Sequence, residues 1–207
     1  MPSRREVVGG LVLAGGLFLG PRAGAEAAET AAARFVEGLA ARAIAVLRSG
    51  GNSLEQRELV FRELLREGFD LEFIGRFALG AHWRSASAEQ QRDYQELFAD
   101  YVLKTYSRRF GRYAGESLAV VSTRAAGQHD VIVYTKIDRP GGAPAIQADW
   151  RVRDIGSQFR IVDIMVEGVS MAQTQRQEFA AVVQQQGLAG LLQALRARTQ
   201  RLAATDS

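Results

Sequence analysis

Between Phe69 and Tyr106 apolar residues recur every three or four positions, with one interruption, and this spacing predicts two helices joined by a tight turn. Asp70 stands at the N-cap of the first, Phe73, Ile74 and Phe77 follow at helical spacing, and Gly80 is placed to end it in a left-handed conformation. Ser87 opens the second helix with Gln90 as its capping-box partner. Tyr94, Leu97, Phe98, Tyr101 and Val102 then make one broad aromatic face, while Arg92, Asp93, Glu96 and Asp100 fill the other. Upstream, Phe35, Val36, Leu39, Ala43, Val46 and Leu47 predict a helix from about Thr30 to Ser49, stopped by Gly50-Gly51-Asn52. Ser53 and Gln56 form another capping box, and Leu59, Leu64 and Leu65 stripe the helix that Gly68 ends.

From Leu118 the period changes from helical to alternating and β-branched residues become frequent. Leu118 to Thr123, Val131 to Ile137, Ile146 to Asp154 and Phe159 to Val166 read as strands, and the short connectors at Gly127-Gln128, Pro140-Gly141-Gly142 and Gly156-Ser157 fit antiparallel hairpins. In the third strand Ile146, Ala148, Trp150 and Val152 share one face and Gln147, Asp149, Arg151 and Arg153 the other. After Gly168, Phe179, Val182 and Val183 form one helical stripe, and Leu188, Leu191, Leu192 and Leu195 another beyond Gly187. Helices, then a sheet, then helices define an α+β domain.

The N-terminus reads as a targeting segment. Ser3-Arg4-Arg5 precedes the apolar run Val7 to Leu19, and Ala23-Gly24-Ala25 offers a cleavage site. The run falls short of the roughly 20 apolar residues that a membrane helix needs. Residues 1–25 are therefore expected to be a cleavable export signal, twin-arginine-like or of the general secretory kind, residues 26–200 one domain, and residues 201–207 a disordered tail. Either export route ends outside the cytoplasm, where function proceeds without ATP.

Composition removes several chemistries. With no cysteine there is no thiolate nucleophile and no sulfur-ligated metal. The net charge of +3 rests almost wholly on arginine, since lysine occurs only at Lys104 and Lys136. Export, and the lack of aromatics interleaved with these arginines along one strand, argue against nucleic acid as a partner. His82 and His129 stand far apart without metal-ligand spacing. No glycine-rich loop lies between strand and helix, and Ser170 suits a helix N-cap better than a nucleophile elbow. Asp163 shares an alternating face with Phe159, Ile161 and Met165. If that face is buried, Asp163 is either a raised-pKa base, as in small cone-shaped isomerases, or one half of an ion pair with an arginine. Asp149 is the other residue an enzyme of that shape would use. The segment Arg108-Arg109-Phe110-Gly111-Arg112-Tyr113 either complements a helix C-terminus or forms a basic lip at a cavity mouth.

Leu79-Gly80 and Trp83 follow a short helix, Ser87 to Gln90 start the next, and the run Tyr94 to Tyr106 continues it. Downstream, the strand Phe159 to Val166 leads into Glu167-Gly168-Val169-Ser170, then Arg176, Phe179 and a last helix after Gly187. This order of features resembles that of the MlaC-like, or toluene-tolerance, family of periplasmic phospholipid carriers, and the likeness covers nearly all of the mature chain. It extends from about Thr30 to Arg196. The resemblance implies a curved antiparallel sheet packed against several helices around an apolar cavity, an NTF2-like cone with extra helices. It implies lipid as cargo, no cofactor and no catalytic residue. It also implies a monomer that exchanges lipid with an inner-membrane ABC transporter and an outer-membrane lipoprotein complex, maintaining outer-membrane asymmetry. A hopanoid-associated branch of similar carriers is the variant reading.

On that resemblance, Phe73, Phe77, Trp83, Phe98, Tyr101, Val131, Val133, Trp150, Ile161, Met165 and Val169 are expected to line the cavity. Lys136, Arg139, Arg151 and Arg153, on or near the outward strand face, are expected to form a partner-docking surface.

Overall fold

A computed structural model of the chain describes residues 21–48, 53–110, 115–156 and 158–204. The expected signal over residues 1–20, the helix stop at Gly50-Gly51-Asn52, the side chains of Arg108 and Arg109, and Gly111-Arg112-Tyr113 lie outside the described residues. The helices are α1 (Pro21–Arg48), α2 (Leu54–Gly68), α3 (Leu71–Leu79), α4 (His82–Ser85), α5 (Ala88–Phe110) and α6 (Met171–Ala204). The strands are β1 (Ser117–Ala125), β2 (Asp130–Asp138), β3 (Ile146–Asp154), β4 (Phe159–Val166) and β5 (Val169–Ser170).

Local chemistry sets the helix limits. At α2 the Ser53 N–H donates to Gln56 Oε1 at 2.9 Å and the Gln56 N–H donates to Ser53 Oγ at 3.2 Å. Ser87 and Gln90 make the same reciprocal pair before α5, at 3.0 and 3.2 Å. Asp70 caps α3 by accepting from the Phe73 N–H at 2.9 Å, and Gly80 ends it at φ 62°, ψ −131°, a conformation glycine alone adopts readily. α1 begins earlier than the apolar stripe indicates, and α6 runs to Ala204, four residues into the expected tail. Within α6 the helical path breaks at Gly187 (φ 69°, ψ 177°), where two successive helices meet. His82 sits in the one-turn helix α4. Among the described residues no helix is long and apolar enough to cross a membrane.

The strands form one antiparallel sheet in the order β1-β2-β3-β4-β5. β3 and β4 keep their expected limits, β1 and β2 are longer at both ends, and the two-residue β5 is an addition. In β4, Ile161 pairs with Val152 and Asp163 with Arg151, so Val162 is an extra, bulged residue. The bulge reverses the alternation, and Ile164, opposite Trp150, joins Ile161 on the face that Met165 would otherwise occupy.

Three apolar clusters hold these layers together. Ala32 and Val36 of α1 pack on Val131, Val133, Val152 and Ile161 of the sheet. Ala78 and Leu79 of α3 join Tyr94, Phe98 and Tyr101 of α5 and Phe179, Leu191, Leu192 and Leu195 of α6. Phe61, Leu64 and Leu65 of α2 meet Leu103 of α5. The α3–α5 crossing is close because position 75 is glycine: a Cβ there would lie 2.9 Å from Phe98 Cδ1. The buried Tyr94 hydroxyl donates to the Gly75 carbonyl at 2.9 Å, and burial pushes its pKa well above the ordinary phenol value.

Candidate functional site

Members of all three clusters border a cavity of about 420 Å³. This volume lies within the ~300–1,000 Å³ usual for small-molecule sites. α1 contributes Val36, Leu39, Ala40, Ala43, Ile44 and Leu47, one helical stripe. α2 contributes Phe61, Leu64 and Leu65, and Phe69, Leu71 and Ile74 follow from the start of α3. Phe98, Val102 and Tyr106 of α5, and Leu118, Ile137, Trp150 and Ile164 of the sheet, complete the apolar wall. Glu116, Ser117, Asp163 and Gln175 are its polar members. Ala40 and Ala43 are small where α1 crosses the cavity, which leaves space that larger side chains would fill.

Two of the polar arrangements are built to hold structure. The Trp150 indole N–H donates to Thr135 Oγ1 at 2.9 Å, and the buried Thr135 hydroxyl donates to the Ala148 carbonyl at 2.5 Å. Asp163 accepts from the Ser170 hydroxyl at 2.6 Å and from the Ala172 N–H at 3.0 Å, while Ser170 Oγ accepts from the Gln173 N–H at 3.0 Å. Asp163 is therefore neither an arginine's ion-pair partner nor an unpaired base: it pins the first turn of α6, whose Met171 and Ala172 are cavity wall. Asp149 is buried but accepts from Gln147 Nε2 at 3.0 and 3.2 Å. Among the described residues no three acidic or histidine side chains gather as a metal site.

Of the side chains expected at the cavity, Phe98 and Trp150 border it. Val131, Val133 and Ile161 are packed beneath α1. Phe73 lies 4.3 Å from the Arg153 guanidinium and Phe77 5.1 Å from that of Arg176. Trp83 meets Tyr94 edge-on at 6.4 Å, and Tyr101 is buried in the α5–α6 cluster with Arg198 over its ring. Met165 is turned away by the bulge at Val162, and Val169 is 54% exposed on β5. The largest share of the wall comes instead from α1, with three residues of α2 beside it; both stripes are visible in the sequence but look the same whether they face a core or a void.

The expected docking cations have partners within the chain. Arg151 Nε and Arg153 Nε each lie 2.7 Å from an oxygen of Asp130, and Arg153 Nη2 lies 3.0 Å from Oδ2. Burial alone would raise the Asp130 pKa, but the hydrogen bonds and charges of the two arginines outweigh it and hold the carboxyl below its usual range. Lys136 pairs with Asp138 at 3.1 Å, and Arg139 Nε donates to the Pro144 carbonyl at 2.8 Å.

An antiparallel sheet and surrounding helices that border an apolar chamber, with the Asp163 carboxylate committed to the start of α6, define a small α+β domain shaped to hold an apolar ligand. The family model described as MlaC protein matches residues 37–197, and the chain belongs to the MlaC family. This is a family of lipid-binding transport proteins, not of enzymes. The chain is 21% identical, over 172 residues and 80% of each sequence, to the intermembrane phospholipid transport system binding protein MlaC of Haemophilus influenzae. It shares its fold with the phospholipid-binding protein of Ralstonia solanacearum, solved in complex with a phospholipid: TM-score 0.73, 24% identity, 83% of this chain and 98% of that one.

Proposed function

We propose that the protein is a periplasmic carrier that holds phospholipid acyl chains in this cavity and shuttles lipid between the outer and inner membranes, contributing to outer-membrane asymmetry. The observation that carries the reading is the chamber itself, walled by α1, α2, α5 and the sheet with an almost wholly apolar surface. The named function of the Haemophilus influenzae relative and the phospholipid in the Ralstonia solanacearum structure support it. Residues 1–25 serve as the export signal. An inner-membrane ABC transporter and an outer-membrane lipoprotein complex are the partners, engaged by a monomer through its polar surface, with Lys136 and Arg139 near the end of β2 and Arg151 and Arg153 of β3 as docking cations.

Hiding an acyl chain from water is worth about 0.8 kcal/mol per methylene, so two long chains nominally exceed the practical ceiling of roughly 20 kcal/mol for affinity. A bilayer offers the same apolar environment, so transfer between bilayer and cavity is close to balanced, and loading and unloading both proceed without bond chemistry. Native mass spectrometry of the protein purified from a periplasmic extract, followed by lipid extraction, tests the proposal. A stoichiometric phospholipid adduct is expected, and a polycyclic triterpenoid would transfer the reading to hopanoids. A bare polypeptide mass that persists after incubation with liposomes would refute it.

A further inference from the structure

Along the inner face of β2 the surroundings change abruptly at one residue. Val131 and Val133 are packed against α1, whereas Ile137, further along the same face, borders the open chamber. Between them stands Thr135, 1% exposed. The register places Trp150 opposite Val133 and Ala148 opposite Thr135. The indole therefore reaches diagonally across the sheet, from the packed half toward the open half, to bring its N–H onto the Thr135 hydroxyl at 2.9 Å. That hydroxyl is itself committed to the Ala148 carbonyl at 2.5 Å, so its remaining lone pairs face the indole. A tryptophan at an apolar wall with no acceptor would leave a buried donor unsatisfied, which costs more than the bond is worth when made. The observed ring position supplies that acceptor.

We propose that Trp150 is the fixed floor of the chamber, setting how deep an acyl chain descends and hence which chain lengths are carried, and that Thr135 is the positioning residue that locks the ring. This rests on the carrier reading and adds the selectivity of the same site. A rigid floor discriminates by length because the methylene that no longer fits must stay in water or force the packed residues below to move. Removing the ring opens a path toward Val133 and Val152. Removing only the hydroxyl leaves the ring in place but releases it to rotate.

The test compares the unmodified full chain with Trp150→Ala, Trp150→Phe, Thr135→Val and Thr135→Ser. Each is loaded by competition from vesicles holding equal amounts of phosphatidylethanolamine with fourteen-carbon and eighteen-carbon chains, and the bound lipid is read by mass spectrometry. The ratio of long to short lipid should rise roughly tenfold in Trp150→Ala, the discrimination that one or two methylenes bring in a shaped apolar site. It should rise less in Thr135→Val and stay unchanged in Thr135→Ser, which keeps the hydroxyl. Trp150→Phe, closer in size to tryptophan, should lie between the unmodified chain and Trp150→Ala, and provides the measurement if Trp150→Ala does not fold. The indole N–H resonance of Trp150 in the folded protein should lose its hydrogen-bonded shift in Thr135→Val and not in Thr135→Ser, a change that a loss of stability alone would not produce. Lipid-loaded variants with the same length profile as the unmodified chain would overturn the inference and leave the carrier reading standing. An unmodified chain that takes up neither lipid would overturn both.

Discussion

Asp163→Ala should loosen the junction between sheet and last helix, and its size follows from two contacts. The carboxylate accepts from the Ser170 hydroxyl at 2.6 Å and the Ala172 N–H at 3.0 Å. Hydrogen bonds to a charged acceptor contribute ~1.5–3 kcal/mol each when buried. Asp163 is only partly buried, so water recovers some of the loss, and the Ser170 cap of Gln173 survives. The expected loss is therefore about 2–3 kcal/mol, or roughly 5–10 °C in Tm for a domain of this size. Asp163→Asn keeps one oxygen for the Ala172 N–H and should cost about 1 kcal/mol. The assay is urea unfolding of delipidated protein, with Ser170→Ala and the double variant completing a cycle whose coupling should exceed about 0.5 kcal/mol. Bound lipid should fall in parallel, because Met171 and Ala172 are cavity wall. If Asp163→Ala changes stability by less than about 0.5 kcal/mol, or couples to Ser170 not at all, the pinning role is wrong.

Three further outcomes are expected. Ser87→Ala removes the reciprocal cap of α5 and should lower stability by about 1 kcal/mol in thermal unfolding, without changing lipid content. The depressed Asp130 pKa means the unfolded chain binds more protons there, so its stabilisation is fully present above about pH 4 and is lost as pH falls through the folded value. The stability gap between the unmodified chain and Asp130→Asn should hold steady from neutral pH down to about pH 4 and close below that. Ala43→Trp should fill the chamber from α1 and cut co-purified lipid about tenfold or more, since each excluded methylene forfeits ~0.8 kcal/mol.

What could be read in the sequence was chemistry confined to a few neighbouring residues. The Ser53–Gln56 and Ser87–Gln90 boxes, the Asp70 cap and the Gly80 stop are three-residue relationships or single-residue conformations, and each is present. The alternation of β3 placed Trp150 and Val152 on one face correctly. The β4 face failed at a single point, since the bulge at Val162 leaves no mark in the hydrophobic pattern yet exchanges Met165 for Ile164. The Asp130 cluster depends on strand register, joining residues 21 and 23 positions apart. The cavity was least legible. Periodicity reports which face of α1 avoids water, and Val36, Leu39, Ala43 and Leu47 satisfy that condition equally against a core or a lipid.

That indifference has a thermodynamic consequence. Voids left in protein cores cost ~24 cal/mol per Å³, so an empty chamber of 420 Å³ represents a penalty of up to roughly 10 kcal/mol relative to a filled core. Whole domains are stable by only about 5–15 kcal/mol. The delipidated chain must therefore hold its walls apart by contacts that do not depend on the lipid. The Tyr94–Gly75 bond, the Trp150–Thr135–Ala148 chain and the Asp163 anchor are suited to that, because each fixes a wall side chain or the backbone behind it. Acyl chains that enter then restore the missing contacts, and ligand held only by the folded state raises stability by RT ln(1 + [L]/Kd), about 4 kcal/mol at a thousandfold excess over Kd. Loaded protein should consequently melt roughly 8–16 °C above the delipidated form. The difference should shrink in Ala43→Trp, where the side chain already occupies the space. Equal melting temperatures for loaded and stripped protein would mean that the chamber is not where the lipid resides.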